Sequence, residues 1–309
     1  MVTVFGDLYF QPPIAPLLAM ARVTERVALG PACCNPFTLH PIEIAGQIAA
    51  LDAASDGRAY VGLARGAWLG ELGIDQARPV EAVVEAAAVV SALLRGDRAG
   101  VAGRRFRLPA GVGLQDAPNR PVPLLVGSWG PKLIGSAAGF ADEVKIGGSA
   151  NPALVPVVRA WLDAGSRPAA VADRRHRGPA IVFGAVTVVD EDGDRARAQA
   201  RAEAAMYLDV VAELDPTIEL PTGLAVAIGT TLRAEGAGAA GALIPDDLLG
   251  RFVFAGRPDE VAAQAIEILG AGADRVEFGT PHGLSADHGV DLLGEAVLPA
   301  IRRAFPADR

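Results

Sequence analysis

A chain of 309 residues, 51% of them hydrophobic, has a normal length for one eight-fold α/β barrel, so we expect a single domain over residues 1–309. The formal net charge of −8, without a cluster of basic residues and interleaved aromatics, argues against a nucleic-acid surface and favours a small-molecule substrate. Apolar stretches too short to span a membrane and an N-terminus without a signal-peptide pattern predict a cytoplasmic protein.

Strand and helix signals alternate from the start of the chain. Predicted strands cover residues 2–5, 26–30, 60–64, 122–126, 143–146, 181–189 and 275–278. Predicted helices cover residues 14–23, 42–54, 79–94, 132–139, 153–164, 258–269 and 291–304. This alternation is typical of a parallel sheet with helical crossovers.

The strand count is seven rather than eight. Residues 190–255 contain an acidic turn, an Arg/Ala-rich helix to about residue 214 and a loose segment with several glycines. We interpret them as an insertion before the last repeat. The predicted fold class is α/β, a TIM-type (β/α)8 barrel with a helical insertion.

Two strand ends lie close together in the sequence. The second predicted strand stops at Pro31 and leads into a loop that ends at Asn35-Pro36. The third predicted strand ends in Gly62-Leu63-Ala64-Arg65-Gly66, where glycine lets a ligand approach the backbone.

The two cysteines, Cys33 and Cys34, are adjacent and cannot form a disulfide framework. Because no cysteine or histidine spacing fits a metal site, we expect no metal.

Two further strand ends contain glycine and precede a helix, namely Gly127-Ser128-Trp129-Gly130 and Gly147-Gly148-Ser149. Free N–H groups and the positive end of a helix at such places suit a phosphate. Glycine is also common in ordinary βα turns, and either interpretation fits these residues alone.

Five motifs follow one another along the chain: GPACCNPFTLHP at 30–41, LDAASDGR at 51–58, GLARG at 62–66, PLLVGSWGPK at 123–132 with ADE at 141–143, and FAGRPDE at 254–260. In this order they resemble the motifs of the bacterial-luciferase-like superfamily. The closest resemblance is to its coenzyme F420-dependent branch, typified by methylenetetrahydromethanopterin reductase. The choice of F420 over FMN rests mainly on the loop NPFTLHP.

The resemblance implies roles for the first strand ends. Asp7 matches an aspartate near the cofactor ring, although a turn or capping aspartate is an equal alternative. Ala32-Cys33 matches a non-proline cis peptide that forms a bulge against the deazaflavin face; the alternative is a pair of small buried side chains. Ala64, Arg65 and Gly66 would border the ring or its ribityl chain, unless Arg65 is a free surface residue.

The two later glycine motifs match the cofactor loops of the family, which implies that Gly127 to Gly130 and Gly147 to Ser149 hold the phosphate of F420. Trp129 could instead serve apolar packing.

Two departures from the family bear on the reaction. Sugar-phosphate dehydrogenases of this branch have a histidine where this chain has Leu8 and an acid where it has Ala67, so alcohol oxidation by that route is not expected. The resemblance then implies hydride transfer to an activated C=N or C=C bond, because the cofactor supplies the chemistry. Tyr9, Glu71 or a bound water could donate a proton.

The histidines have simpler interpretations. His40, before Pro41, is expected to be an N-cap or a loop-packing residue, and His282 and His288 are expected to be solvent-exposed loop residues.

The family also implies features of the whole protein. Its members normally begin with a strand and a helix ahead of the segment that matches residues 2–7, so this chain is expected to lack the first βα unit, and a homodimer is expected by analogy. Two other functions remain open: an FMN-dependent monooxygenase on the same barrel, and a non-catalytic flavin-binding or deazaflavin-binding protein.

Overall fold

The computed structural model describes residues 2–4, 12–165 and 178–306, with only the backbone described for residues 2–4. These ranges contain eight strands: β1 (Val2–Val4), β2 (Leu29–Pro31), β3 (Val61–Ala64), β4 (Leu124–Gly127), β5 (Glu143–Gly147), β6 (Ala180–Val189), β7 (Val253–Gly256) and β8 (Arg275–His282). The predicted count of seven was therefore wrong. The missed strand, β7, follows a helix without any turn residue between them, so the sequence shows no boundary there.

Thirteen α-helices lie in the described ranges: α1 (Ile14–Val23), α2 (Pro41–Ala54), α3 (Pro79–Leu94), α4 (Pro131–Ala137), α5 (Leu154–Asp163), α6 (Gly193–Ala205), α7 (Leu208–Val211), α8 (Leu224–Glu235), α9 (Ala237–Gly241), α10 (Asp246–Phe252), α11 (Pro258–Gly270), α12 (Ala286–Leu292) and α13 (Leu298–Ala304). Among them, none combines the length and the apolar character that crossing a membrane requires.

The chain divides into two compact units, which are described separately. Unit 1 contains residues 1–144 and 162–179, and unit 2 contains residues 145–161 and 180–309. The division falls within β5 and within α5. The expectation of a single domain stays a prediction.

Unit 1 contains β1 to β4 and α1 to α4. β1 pairs with β2, and β3 pairs with β4, both in parallel. Parallel bridges from Leu29 to Ala59 and from Cys34 to Leu63 place β2 beside β3. The carboxyl ends of β2, β3 and β4 therefore lie at one edge.

The start of α2 shows how local sequence sets these positions. His40 Nδ1 accepts a hydrogen bond of 3.2 Å from the N–H of Ile42, and Pro41 is the first helical residue. The predicted N-cap role of His40 is confirmed. Ile44, Ile48 and Leu51 form the buried face of the helix, as their helical spacing predicts.

Unit 2 is organised around β6, a ten-residue strand that is paired on both edges. Its residues Val186–Val189 pair with β7, and its first half pairs with β8, in parallel throughout. Between β6 and β7 the chain forms helices α6 to α10. The segment predicted as a helical insertion is thus helical, but it ends in a strand rather than in a loose loop.

Candidate cofactor site

The three strand ends of unit 1 that the sequence singled out are adjacent in the structure. The N–H of Cys34 donates to the carbonyl of Gly62 at 2.9 Å, and the N–H of Ala64 donates to the carbonyl of Cys34 at 3.0 Å. Ala64 in turn lies opposite Gly127 in the register of β3 and β4. The segments at Cys33, at Ala64 to Gly66 and at Gly127 to Gly130 thus meet at one edge.

Cys33 lies where these strand ends approach most closely. A Cβ atom built on Gly127 would be 2.9 Å from the Sγ atom of Cys33, and one built on Gly62 would be 2.3 Å from the carbonyl oxygen of Pro31. The backbone contact means that position 62 requires glycine, whereas a side chain at position 127 would require the Cys33 side chain to move. The peptide bond between Ala32 and Cys33 is cis, as the sequence resemblance implied. Ala32 is buried, whereas Cys33 is half-buried.

The segment that follows β3 is held from two sides. Gly66 has a φ of +80°, and a Cβ atom there would lie 3.1 Å from the side chain of Asn35. The side-chain amide of Gln76 donates to the carbonyls of Arg65 and of Gly66, the second at 3.2 Å. Arg65 itself is exposed, which leaves both its predicted role beside a cofactor and a free surface role open.

Asn35 and Gln76 are residues that the sequence reasoning missed. Asn35 is 4% exposed, and its Oδ1 atom accepts hydrogen bonds from the N–H groups of Phe37 at 3.0 Å and Thr38 at 2.9 Å. The pair Asn35-Pro36 was recognised as a turn, but the turn signal alone does not show that the Asn35 side chain lies against Gly66. Nothing in the local sequence marks Gln76.

The end of β4 leaves space for a ligand. Residues 127–130 are half-buried, and a Cβ atom on Gly130 would meet nothing within 4 Å. The N–H of Gly130 donates to the hydroxyl of Ser128 at 3.1 Å, which fixes the turn before α4. A ligand can therefore reach this part of the backbone.

In unit 2 the glycine motif after β5 differs from its prediction. The N–H groups of Gly148 and Ser149 both donate to the carbonyl of Gly184, at 2.6 and 3.3 Å, and Ser149 is fully buried. The expectation of free N–H groups was wrong for these two residues, because the neighbouring strand β6 accepts them. A Cβ atom on Gly147 would meet nothing within 4 Å.

The titratable candidates occupy different environments. Asp7, Leu8 and Tyr9 lie outside the described residues. Glu71 is exposed in a short 3₁₀ segment, Leu69–Leu72. His282, at the end of β8, is half-buried rather than exposed as predicted, and burial lowers its pKa below the ordinary value.

His288 is exposed, as predicted. Its Nε2 atom lies 2.8 Å from a carboxylate oxygen of Glu191, and this hydrogen bond raises the pKa of His288 and lowers that of Glu191. With Asp190 they form a surface group whose potential ligand atoms lie within 4.8 Å of one another. The sequence did not predict this group because 97 residues separate Glu191 from His288.

Comparison with known proteins gives consistent matches along the chain. The family model described as luciferase-like monooxygenase matches residues 3–275. A 5,10-methylenetetrahydromethanopterin reductase of Methanopyrus kandleri is 27% identical over 303 residues, which cover 92% of this chain and 85% of that protein.

Solved structures agree on the fold. The coenzyme F420-dependent tetrahydromethanopterin reductase from Methanopyrus kandleri superposes with a TM-score of 0.82 at 24% identity, covering 97% of this chain and 90% of its own. The monooxygenase RslO1 from Streptomyces bottropensis gives a TM-score of 0.68 at 22% identity, covering 96% of this chain and 87% of its own. The chain thus has an α/β fold with a parallel sheet that matches these proteins.

Proposed function

Because the chain belongs to the luciferase-like monooxygenase family, we propose that it is a coenzyme F420-dependent oxidoreductase that transfers hydride between the deazaflavin and a small organic substrate. The observation that carries the proposal is the meeting of three strand ends in unit 1, with open space at Gly130. The similarity to reductases named for tetrahydromethanopterin supports F420 over FMN.

The residues of unit 1 fit such a cofactor. Ala32 and Cys33 would face it, Ala64 to Gly66 would lie at its side, and Ser128 to Gly130 would contact it through accessible backbone. Bound F420 supplies the hydride chemistry, and the protein supplies binding, orientation and exclusion of water.

The chain's own side chains restrict the choice of substrate. The methyl side chain of Ala67 cannot act as an acid or a base. We therefore favour reduction of an activated C=N or C=C bond over oxidation of a sugar-phosphate hydroxyl group. We propose Glu71, whose side chain is exposed, or a water molecule as the proton source.

Titration with each cofactor tests the proposal. Fluorescence titration of the purified protein with F420 should show saturable binding, and reduced F420 should be oxidised when an acceptor from a panel of imines and enones is added. Tight binding of FMN without binding of F420 would overturn it. Binding of F420 without turnover of any acceptor would favour a non-catalytic binding protein.

A variant at Gly130 locates the cofactor. Gly130→Leu introduces a side chain into open space at an extended backbone conformation, so the fold should persist while F420 affinity falls. Gly270→Leu, also into open space but at the exposed end of α11, is the matched control and should bind F420 normally. Equal affinity in both variants would place the cofactor elsewhere.

The second candidate is an FMN-dependent monooxygenase. The description of the family model and the fold of the Streptomyces bottropensis monooxygenase favour it. Oxygen consumption that depends on reduced FMN, measured with the same protein, would distinguish it from an F420-dependent enzyme. We also propose a homodimer by analogy with the family, which light scattering in solution would test.

A further inference from the structure

Asn151 is a fully buried polar residue in the loop between β5 and α5. Its side-chain amide nitrogen donates to Asp215 Oδ2 and to Thr217 Oγ1, both at 2.8 Å. Its Oδ1 atom accepts from Arg251 Nη1 at 2.8 Å and from the N–H of Ala153 at 3.1 Å. Both donor hydrogens and both acceptor positions of this amide are therefore used.

The partners of Asn151 come from the insertion. Asp215 is 3% exposed, and its Oδ1 atom accepts from the N–H of Thr217 at 2.9 Å and from the Thr217 hydroxyl at 2.7 Å. Arg251 belongs to α10. One asparagine thus joins two separate parts of the insertion to the β5–α5 loop.

Further contacts bind the same loop to the same segment. The N–H of Ala150 donates to the carbonyl of Arg251 at 2.8 Å. A Cβ atom on Gly148 would lie 3.1 Å from the ring of Tyr207, whose hydroxyl donates to the carbonyl of Phe252 at 2.9 Å. The loop is therefore enclosed by insertion residues on several sides.

Buried polar groups of this kind have no water to replace a lost partner. A movement of the insertion that separated Asp215 from Asn151 would remove the hydrogen bond that Asp215 Oδ2 accepts from the Asn151 amide. The β5–α5 loop and the insertion are therefore expected to move together and not independently.

We propose that Asn151 joins the β5–α5 loop and the insertion into one rigid block, so that the insertion sets the conformation of this loop.

The test exchanges the Asn151 amide and the Asp215 carboxylate between the two positions. In Asn151→Asp the new side chain has nearly the same shape as asparagine, but its carboxylate faces that of Asp215 and the two repel each other. The double variant Asn151→Asp with Asp215→Asn restores one donor facing one acceptor and keeps the bond to Arg251. Asn119→Asp, at an exposed position, is the matched control for the same chemical change.

Hydrogen–deuterium exchange of the cofactor-free protein measures the coupling. In Asn151→Asp, the amides of Gly148 to Ala150 and that of Thr217 should exchange about tenfold faster, and the double variant should recover most of this change. Faster exchange in the loop without any change at Thr217 would overturn the inference. If Asn151→Asp does not fold, Thr217→Ala removes only the two hydrogen bonds of the Thr217 hydroxyl and should raise exchange in both segments by a smaller factor.

Discussion

Substitution of Gly62 by alanine gives a direct measure of how tightly β2 and β3 approach each other. The new Cβ atom would lie 2.3 Å from the carbonyl oxygen of Pro31, whereas carbon–oxygen contacts in proteins are normally about 3.3 Å or longer. The strands would have to separate by about 1 Å, so the hydrogen bonds of 2.9 and 3.0 Å that join Cys34 to Gly62 and Ala64 would exceed bonding length.

The expected loss of stability follows from these two effects. Overpacking of this degree costs about 2 kcal/mol, and two weakened hydrogen bonds cost about 1 kcal/mol each. Replacement of glycine restricts the unfolded chain and returns at most about 1 kcal/mol. We therefore expect the free energy of unfolding to fall by about 3 kcal/mol.

Equilibrium unfolding in urea measures this change, with Gly46→Ala as the matched control. Gly46 lies inside α2, and a Cβ atom there would meet nothing within 4 Å. The same substitution should therefore stabilise the protein at that position by about 0.5–1 kcal/mol. A Gly62→Ala variant within about 0.5 kcal/mol of the unaltered protein, a range typical of surface changes, would refute the reasoning.

Three further outcomes are expected. The Arg58 side chain donates five hydrogen bonds to the end of α1, the following loop and Ser55. Arg58→Ala should therefore lower the free energy of unfolding, measured in urea, by about 3 kcal/mol. Arg58→Lys should restore only part of this loss, because lysine lacks the planar guanidinium group. Burial, followed by the charge of Cys33, raises the pKa of Cys34 to about 12, so iodoacetamide at pH 8 should label Cys33 alone in the folded protein; mass spectrometry showing equal labelling would contradict this. The pair of His288 and Glu191 should stabilise the fold fully between roughly pH 4.5 and 6.5. This contribution is lost as pH rises through the raised pKa of His288 or falls through the lowered pKa of Glu191. In Glu191→Gln, NMR titration should show the pKa of His288 returning towards 6.5.

Local signals explain most of what the sequence predicted correctly. The start of α2 follows from His40 and Pro41, and its end from Asp56-Gly57, which need no distant partner. Strand β7 was missed because its four residues become a strand only by pairing with the last residues of β6. Short apolar runs do not distinguish a strand from the end of a buried helix.

The site shows the same division between local and distant information. The strand ends of unit 1 could be predicted to meet because parallel strands end at a common edge. Asn151 could not be recognised, since its partners Asp215 and Arg251 lie 64 and 100 residues away. The loss of free N–H groups at Gly148 and Ser149 depends on Gly184, a residue of another strand.

The close packing around Gly184 limits which substitutions the neighbouring residues tolerate. Lys145 and Glu277, both largely buried, form an ion pair that passes beside Gly184; a Cβ atom there would lie 3.2 Å from Lys145 Cε and 3.3 Å from Glu277 Cβ. An alanine at Gly184 would require Lys145 and Glu277 to shift by a few tenths of an ångström. Loss of Glu277 would remove the buried carboxylate that pairs with both Lys145 and Arg275, which is strongly destabilising. Close relatives should therefore keep a small residue at position 184 and replace Glu277 only together with its two cationic partners.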